Sequence, residues 1–273
     1  MAIIPKHFMD AVVAIGVASN SPNCTWIGTG FLVGRKEENN PQMSTIYLIT
    51  NFHVVKNKRE IYVKFNSNAT SITKDYCVPL FHNDNPDYSR HPTSDIVAMQ
   101  INPKTLINDD SVFGFFDLDN NSLTLSQMQE TGVEEGTLVY ALGFPMNLVT
   151  EGKKTPICRL GCISRISDVF VDNSIDSFLV DAQTFPGNSG GPIISRPEAF
   201  SIKGTSSNSS ANLIGILHSY IPYRDTLISQ QTGEARSILA ENSGITNVHP
   251  VDRIKDVVEL EWQRKTNPQA RRV

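Results

Sequence analysis

His53, Asp95 and Ser189 are the residues of this chain best placed to do chemistry. Ser189 stands in Phe185-Pro186-Gly187-Asn188-Ser189-Gly190-Gly191-Pro192, ahead of the apolar Ile193-Ile194. Gly187, Gly190 and Gly191 open backbone conformations closed to other residues, and the two prolines fix the ends of the segment. A loop of this composition can aim consecutive N–H groups at one point beside a hydroxyl. Acyl transfer requires that arrangement, with a nucleophile next to a pocket for a developing oxyanion. The plain alternative is a glycine-rich turn that carries an ordinary serine.

A nucleophilic serine needs a base and an orienting acid. His7 lies in the N-terminal arm, His82 and His91 in polar, turn-rich sequence, His249 before a helix and His218 after an apolar strand. His53 follows Ile46-Tyr47-Leu48-Ile49-Thr50, a buried-strand run that would hold it on a rigid element. Taken alone, it reads equally well as a satisfied core histidine. Asp95 opens the apolar run Ile96-Val97-Ala98-Met99 and could tuck beneath a histidine to fix its tautomer. A strand-initiating turn residue is the other reading. Asp84, Asp87 and Asp181 compete, but the first two sit in loops with no core strand after them. Ser243, in Asn242-Ser243-Gly244, repeats the tripeptide without a second glycine or flanking prolines.

These residues must be positioned by short strands. Strand-like runs recur at 11–18, 28–33, 45–50, 60–65 and 95–101, then at 138–143, 158–166, 177–181, 192–195, 212–219 and 244–248. Two such sets predict an all-β fold of two antiparallel six-stranded barrels, spanning about 8–103 and 128–248. The Asn- and Asp-rich stretch 104–127 would join them as an exposed linker. Residues 201–212 read as a mobile hairpin tip. Residues 221–242 read as a long insertion, partly helical around 234–241. Pro250 opens a helix over about 250–264 in which Val251, Ile254, Val257, Val258 and Trp262 share one face, expected to pack on the second barrel. The whole chain, 1–273, is then one domain.

Composition narrows the function classes. Apolar residues make up 40% and charged residues 19% of the 273, a balance that builds a core rather than a disordered chain. A net charge of −4 gives no general attraction to nucleic acid or an anionic membrane. Lys56, Lys58 and Arg59 read as a solvated turn, and Arg271-Arg272-Val273 as a frayed basic tail. No apolar run is long enough to span a bilayer, and the first residues lack the pattern of a secretory signal, so the cytoplasm is the expected compartment. Cys24, Cys77, Cys158 and Cys162 read as reduced, buried thiols. Cys158 and Cys162 lack a second ligand pair, so no zinc or other metal site is expected.

The order His53, Asp95, Ser189 with these flanks resembles the trypsin-like, chymotrypsin-fold serine proteases, and most closely the HtrA/Deg-type protease domain. Thr50-Asn51-Phe52-His53-Val54-Val55, the run from Glu135-Gly136 to Gly143-Phe144-Pro145, and Asp181-Ala182 ahead of the nucleophile carry the resemblance. It covers roughly residues 10–262. It implies that Ser189 attacks a peptide carbonyl, that His53 takes and returns the proton, and that Asp95 orients His53. The backbone of Gly187, Asn188 and Ser189 would form the oxyanion hole. Gln183, Leu217, His218, Ser219 and Tyr220 would line the substrate pocket, favouring an apolar over an acidic side chain and excluding a basic one. No metal or organic cofactor is implied. The partner is a protein or peptide substrate, not nucleic acid or membrane.

Departures from the pattern matter as well. Asn188 stands where digestive relatives carry the aspartate that pairs with a newly cut N-terminus, so activation by such a cleavage is not expected. HtrA proteins carry a PDZ domain after the protease domain, whereas this sequence runs only about ten residues past its last expected helix, so regulation through a PDZ-bound peptide is not expected. Activity would be constitutive or gated by a regulatory protein acting on the loops. The alternative is a non-catalytic or partner-gated scaffold on the same fold. An esterase of the α/β-hydrolase type is disfavoured by the lack of Gly-x-Ser-x-Gly.

Overall fold

The computed structural model describes residues 4–19, 24–69, 72–150, 152–172, 174–198, 200, 205 and 208–267. Helix α1 (Lys6–Ala11) leads into strands β1 (Val12–Val17), β2 (Thr25–Glu37) and β3 (Asn40–Thr50). The one-turn helix α2 (Phe52–Val55) follows, then β4 (Glu60–Ser67), β5 (Lys74–Pro79) and β6 (Val97–Gln100). Helices α3 (Pro103–Asn108) and α4 (Leu125–Thr131) lie in the crossing segment. The second half contains β7 (Leu138–Gly143), β8 (Ile157–Arg165), α5 (Ser167–Val171), β9 (Phe178–Asp181), β10 (Pro192–Ser195), β11 (Asn212–Ile228), β12 (Ala235–Pro250) and α6 (Val251–Thr266).

The second half closes as a six-stranded barrel in the order β7-β8-β9-β12-β11-β10. The first half does not close. It is a nine-stranded sheet in which β4, β1, β2, β3 and β6 are successive neighbours, with β5 on β4 and the short strand Ser89–Arg90 beyond β6. Two full six-stranded barrels are therefore corrected to one barrel and one open sheet. The seam stays open because the chain between its two ends, 80–88, turns on itself through Asn83 and Asp84 at positive φ (49° and 60°). Residues Phe81–His82 pair there with Asn85–Pro86 instead of extending the ladder. Pro79 and Pro86 also bring no N–H donor to the gap. A cavity of about 250 Å³ lies at the seam, lined by Leu32, Leu48, Val63, Phe65 and Met99.

Strand β1 and the second half of β3 (46–50) are buried on both faces, which explains the apolar runs Val12–Ile15 and Ile46–Ile49. Val13, Ile15, Ile46 and Leu48 face the hollow of the open sheet. Ala14, Phe31, Tyr47 and Ile49 face a core shared with Leu142, Phe144, Ile194 and Leu213 of the barrel. Val251, Ile254, Val257 and Val258 of α6 complete that shared core. The helix thus packs on the join and reaches back to β6 and Ser89–Arg90, rather than resting on the barrel alone. Glu261 is fully buried there, satisfied by Arg264 (2.7 and 2.8 Å) and by the Ser89 hydroxyl (2.8 Å).

Three local readings differ from the sequence expectation. The segment 104–127 carries α3, and its Phe116 and Leu118 are buried. Residues 221–242 hold no helix; they are the outer parts of β11 and β12, joined by a turn over 229–234. The four cysteines are free, but Cys77 and Cys158 are exposed, since each falls on an outward position of its strand. Most of 201–207 lies outside the described residues. No helix among the described residues is long and apolar enough to cross a membrane.

Lys154 is 2% exposed and donates to the carbonyls of Asp10 (3.1 Å) and Val12 (2.6 Å), tying the segment after β7 to the start of β1. Burial pulls its ammonium down to about 8. The unfolded chain releases this proton only near 10.5, so between these values the folded state binds fewer protons and gains stability as pH rises. Relative to Lys154→Met, the wild type should gain about 3 kcal/mol between pH 8 and 10.5, read by urea unfolding at several pH values. A constant difference across that range would refute the burial of a charged ammonium.

Candidate active site

His53 stands on α2, immediately after the buried end of β3. Asn51, which precedes the helix and is fully buried, donates from Nδ2 to the carbonyl of Asp95 at 2.9 Å. The Phe52 N–H donates to the same carbonyl (3.2 Å), and Arg90 covers the Phe52 ring at 3.9 Å. The turn bearing the base and the loop bearing the acid are thus built against each other. The His53 backbone N–H donates to Asp95 Oδ1 at 3.0 Å, and its ring Nδ1 meets Oδ2 at 2.5 Å. Nε2 makes no hydrogen bond among the described residues.

Asp95 has a second imidazole. His218 Nδ1 lies 3.1 Å from the same Oδ2, and the His53 and His218 ring centroids are 6.0 Å apart. Burial opposes the charge of Asp95, but hydrogen bonds and positive charge from His218 and His53 outweigh it. Its carboxyl is held well below the usual carboxylate range. These three side chains also bring their donor atoms within 4.8 Å of one another, close enough to share a metal ion. Two imidazoles and a carboxylate are a donor set for zinc-type ions. Here His53 Nδ1 is hydrogen-bonded to Asp95, as a relay requires, while His218 Nδ1 lies within ion-pair distance of the same oxygen.

Behind His218 the contacts continue. Its ring lies 4.8 Å from that of His249, whose Nδ1 is 3.1 Å from Asp176 Oδ2. Asp176 accepts from the Ser94 hydroxyl (2.5 Å), and Arg253 Nε is 3.2 Å away. The Ser94 N–H donates to His91 Nδ1 (2.9 Å), while His91 Nε2 faces Asp256 at 3.5 Å. The loop of Asp95 is thereby fastened to β12 and α6.

Ser189 is presented by the second half and docked on the first. Its carbonyl accepts from the Thr29 N–H (3.0 Å). Thr29 Oγ1 donates to the Gly187 carbonyl (2.6 Å) and accepts from the Phe144 N–H (3.0 Å), and Thr50 Oγ1 donates to the Thr29 carbonyl (2.7 Å). Gly187 and Gly190 have φ of +100° and +84°. A Cβ on Gly187 would sit 2.4 Å from the Phe144 carbonyl oxygen, and one on Gly190 would sit 2.2 Å from that of Thr29. Both glycines are therefore required by close approach as well as by φ. The Asn188 N–H is engaged with the Phe185 carbonyl (3.0 Å), whereas those of Gly187 and Ser189 make no hydrogen bond among the described residues. The Ser189 hydroxyl donates to the His218 carbonyl at 3.4 Å rather than to His53.

The expected pocket residues fall into different settings. Gln183 is exposed, Tyr220 is 36% exposed, and Ser219 accepts from Asn247 Nδ2 (3.3 Å). Leu217 is buried in the barrel core beside Val248. His218 faces Asp95. The Phe185 ring is covered by Arg159 at 5.1 Å. Thr29, His249 and Asp176 escaped the sequence reading. Thr29 alone carried a signal, because it is flanked by Gly28 and Gly30 in an otherwise bulky strand.

Residues 28–199 match the family described as "Trypsin-like peptidase domain". No curated protein matches the chain in sequence. Among solved structures, the chain resembles the HtrA-type protease AlgW with a tripeptide (TM-score 0.51, 18% identity), with 94% of this chain and 61% of AlgW covered. A serine endoprotease from Yersinia pestis gives 0.50 and 18%, with 94% and 64% covered. The MamO protease domain from Magnetospirillum magneticum gives 0.50 and 17%, with 92% and 96% covered. The chain thus spans less than two thirds of the first two proteins and nearly all of the third. At these identities the structural likeness establishes the fold alone, whereas the family match covers more than half of the sequence. The chain belongs to the trypsin-like peptidase domain family.

Proposed function

We propose that this protein is a serine endopeptidase working through His53, Asp95 and Ser189. The carrying observation is the seat of His53, whose Nδ1 is fixed on an ionised Asp95, which leaves Nε2 to act as the base. Ser189 Oγ attacks a peptide carbonyl as His53 Nε2 takes its proton. Gly187 and Ser189 N–H groups, unpaired within the described residues, receive the oxyanion. His53 then protonates the leaving amine, and water, deprotonated by the same nitrogen, releases the acyl group from Ser189. A protein or peptide substrate accords with the peptide-bound state of AlgW.

A partner-gated enzyme is the second reading, favoured by one contact. The Ser189 hydroxyl rests on the His218 carbonyl and must rotate to reach His53. A fluorophosphonate probe separates the cases. Wild type is expected to label at Ser189, and Ser189→Ala not at all. Labelling that survives the substitution would sink the assignment, and an unlabelled wild type that becomes reactive with a partner would establish gating.

A further inference from the structure

Strands β11 and β12 pair from Gly215–Pro250 to Ile228–Ala235, with register shifts at Leu217/Ser219, Tyr220/Pro222 and Leu227/Ile228. Only their inner parts belong to the barrel. From Ile221 to Asn242 the two strands pair with each other alone and stand out as a ribbon roughly 20 Å long. An isolated two-stranded ribbon gains little stability by itself, yet this one exposes Tyr223 (59%), Leu227 (47%) and Leu239 (45%). Tyr223 and Leu227 are two steps of two apart on β11, and Leu239 is opposite Asp225 between them, so all three share one face, together with the polar Asp225, Ser237 and Glu241.

The root of the ribbon is the reacting serine. β10 covers one edge of β11 only as far as Ile216, after which Gly190 and Gly191 bond to Leu217. Beyond Leu217 that edge has no strand partner among the described residues. The His218 carbonyl on this edge accepts the Ser189 hydroxyl, so the open row of backbone groups begins at the nucleophile. The ribbon is also braced against the nucleophile segment, where Asn242 Nδ2 donates to the Thr184 carbonyl (2.5 Å). A polypeptide strand pairing antiparallel to β11 runs toward Ser189, which places its residues N-terminal to the scissile bond along 219–228.

We propose that the ribbon is an added upstream binding edge, taking about ten extended residues on the acyl side of the cleaved bond, with apolar side chains at alternate positions against Tyr223, Leu227 and Leu239. The assignment rests on the endopeptidase reading. The occupant is the substrate's own chain, because the edge is continuous with the site of attack. A strand in that place also supplies the third strand that the ribbon lacks.

The test uses three fluorogenic peptides: a short one spanning four residues before the bond, the same peptide extended upstream by seven alternating Val and Thr residues, and one with that extension downstream. Wild type should cleave the upstream-extended peptide with at least tenfold higher kcat/KM than the short one, and gain nothing from the downstream extension. The gain should vanish in Tyr223→Ser/Leu227→Ser/Leu239→Ser and in a protein whose residues 224–240 are replaced by Asn-Gly. Cleavage of the short peptide and fluorophosphonate labelling should persist in both. An equal gain in the shortened protein, or none in a labelled wild type, overturns the proposal. Should wild type fail to label, the endopeptidase reading falls, and the ribbon is judged by fluorescence anisotropy on Ser189→Ala. Upstream-extended peptide must then bind at least tenfold tighter than the short one in a ribbon-dependent manner, or the proposal fails too. Ribbon-dependent dimerisation in sedimentation would assign the edge to a second copy and equally overturn it.

Discussion

Asp95→Asn is expected to lower kcat by about ten-thousand-fold while leaving KM nearly unchanged. The carboxylate accepts from the His53 backbone N–H on one oxygen and meets two imidazole Nδ1 atoms on the other. An amide can keep the first contact. On the second side it either turns a donor toward both rings or gives up the backbone bond to offer its oxygen. His53 then loses the partner that holds its proton on Nδ1, and Nε2 is no longer reliably a base. Stability should fall far less than activity, because the Asp95 carbonyl, which binds Asn51 and Phe52, is unaffected. Steady-state peptide hydrolysis, paired with urea unfolding, reads both quantities. A loss below tenfold in kcat would mean that Asp95 does not orient the base.

Thr29→Val should act on the other half of the machinery. Valine keeps the shape of threonine but removes the hydroxyl that links the Gly187 carbonyl to the Phe144 N–H. Both groups are buried and would be left without partners, a cost of about 3 kcal/mol in unfolding free energy. The Gly187–Asn188 peptide that carries this carbonyl adjoins the Gly187 N–H offered to the oxyanion, so its rotation would shift that donor. Freed to rotate, it should cost about a hundredfold in kcat with little change in KM. Thr29→Ser restores the hydroxyl and should recover most of the rate. A destabilised Thr29→Val that keeps full kcat would show that the nucleophile loop holds its shape unaided.

How much of this was legible beforehand depended on where each signal lived. His53 was readable because a long apolar run delivers it, and the loop of Ser189 because glycines and prolines concentrate there. The last helix was readable from one apolar face. The ribbon was hidden because water bathes both of its faces, so no apolar alternation marks it as strand. The open seam of the first sheet depends on pairing between 80–88 and distant strands, which local sequence does not encode. The approach of His218 to Asp95 was equally obscure. A register shift between Leu217 and Ser219 sets the direction of that side chain, and bulges leave no local signature.

The clasp between the Asp95 loop and the end of the second half also imposes an order of events on synthesis. In the sequence the nucleophile is reached at 189, but His249, Arg253 and Asp256, which with Asp176 fasten Ser94 and His91 around the acid, come some sixty residues later. Chains grow from the N-terminus and fold as they emerge. A ribosome-bound chain that already exposes Ser189 therefore lacks the fastening that seats Asp95. If the site cuts peptides as proposed, a growing chain is spared cutting its neighbours until its last helix has been made.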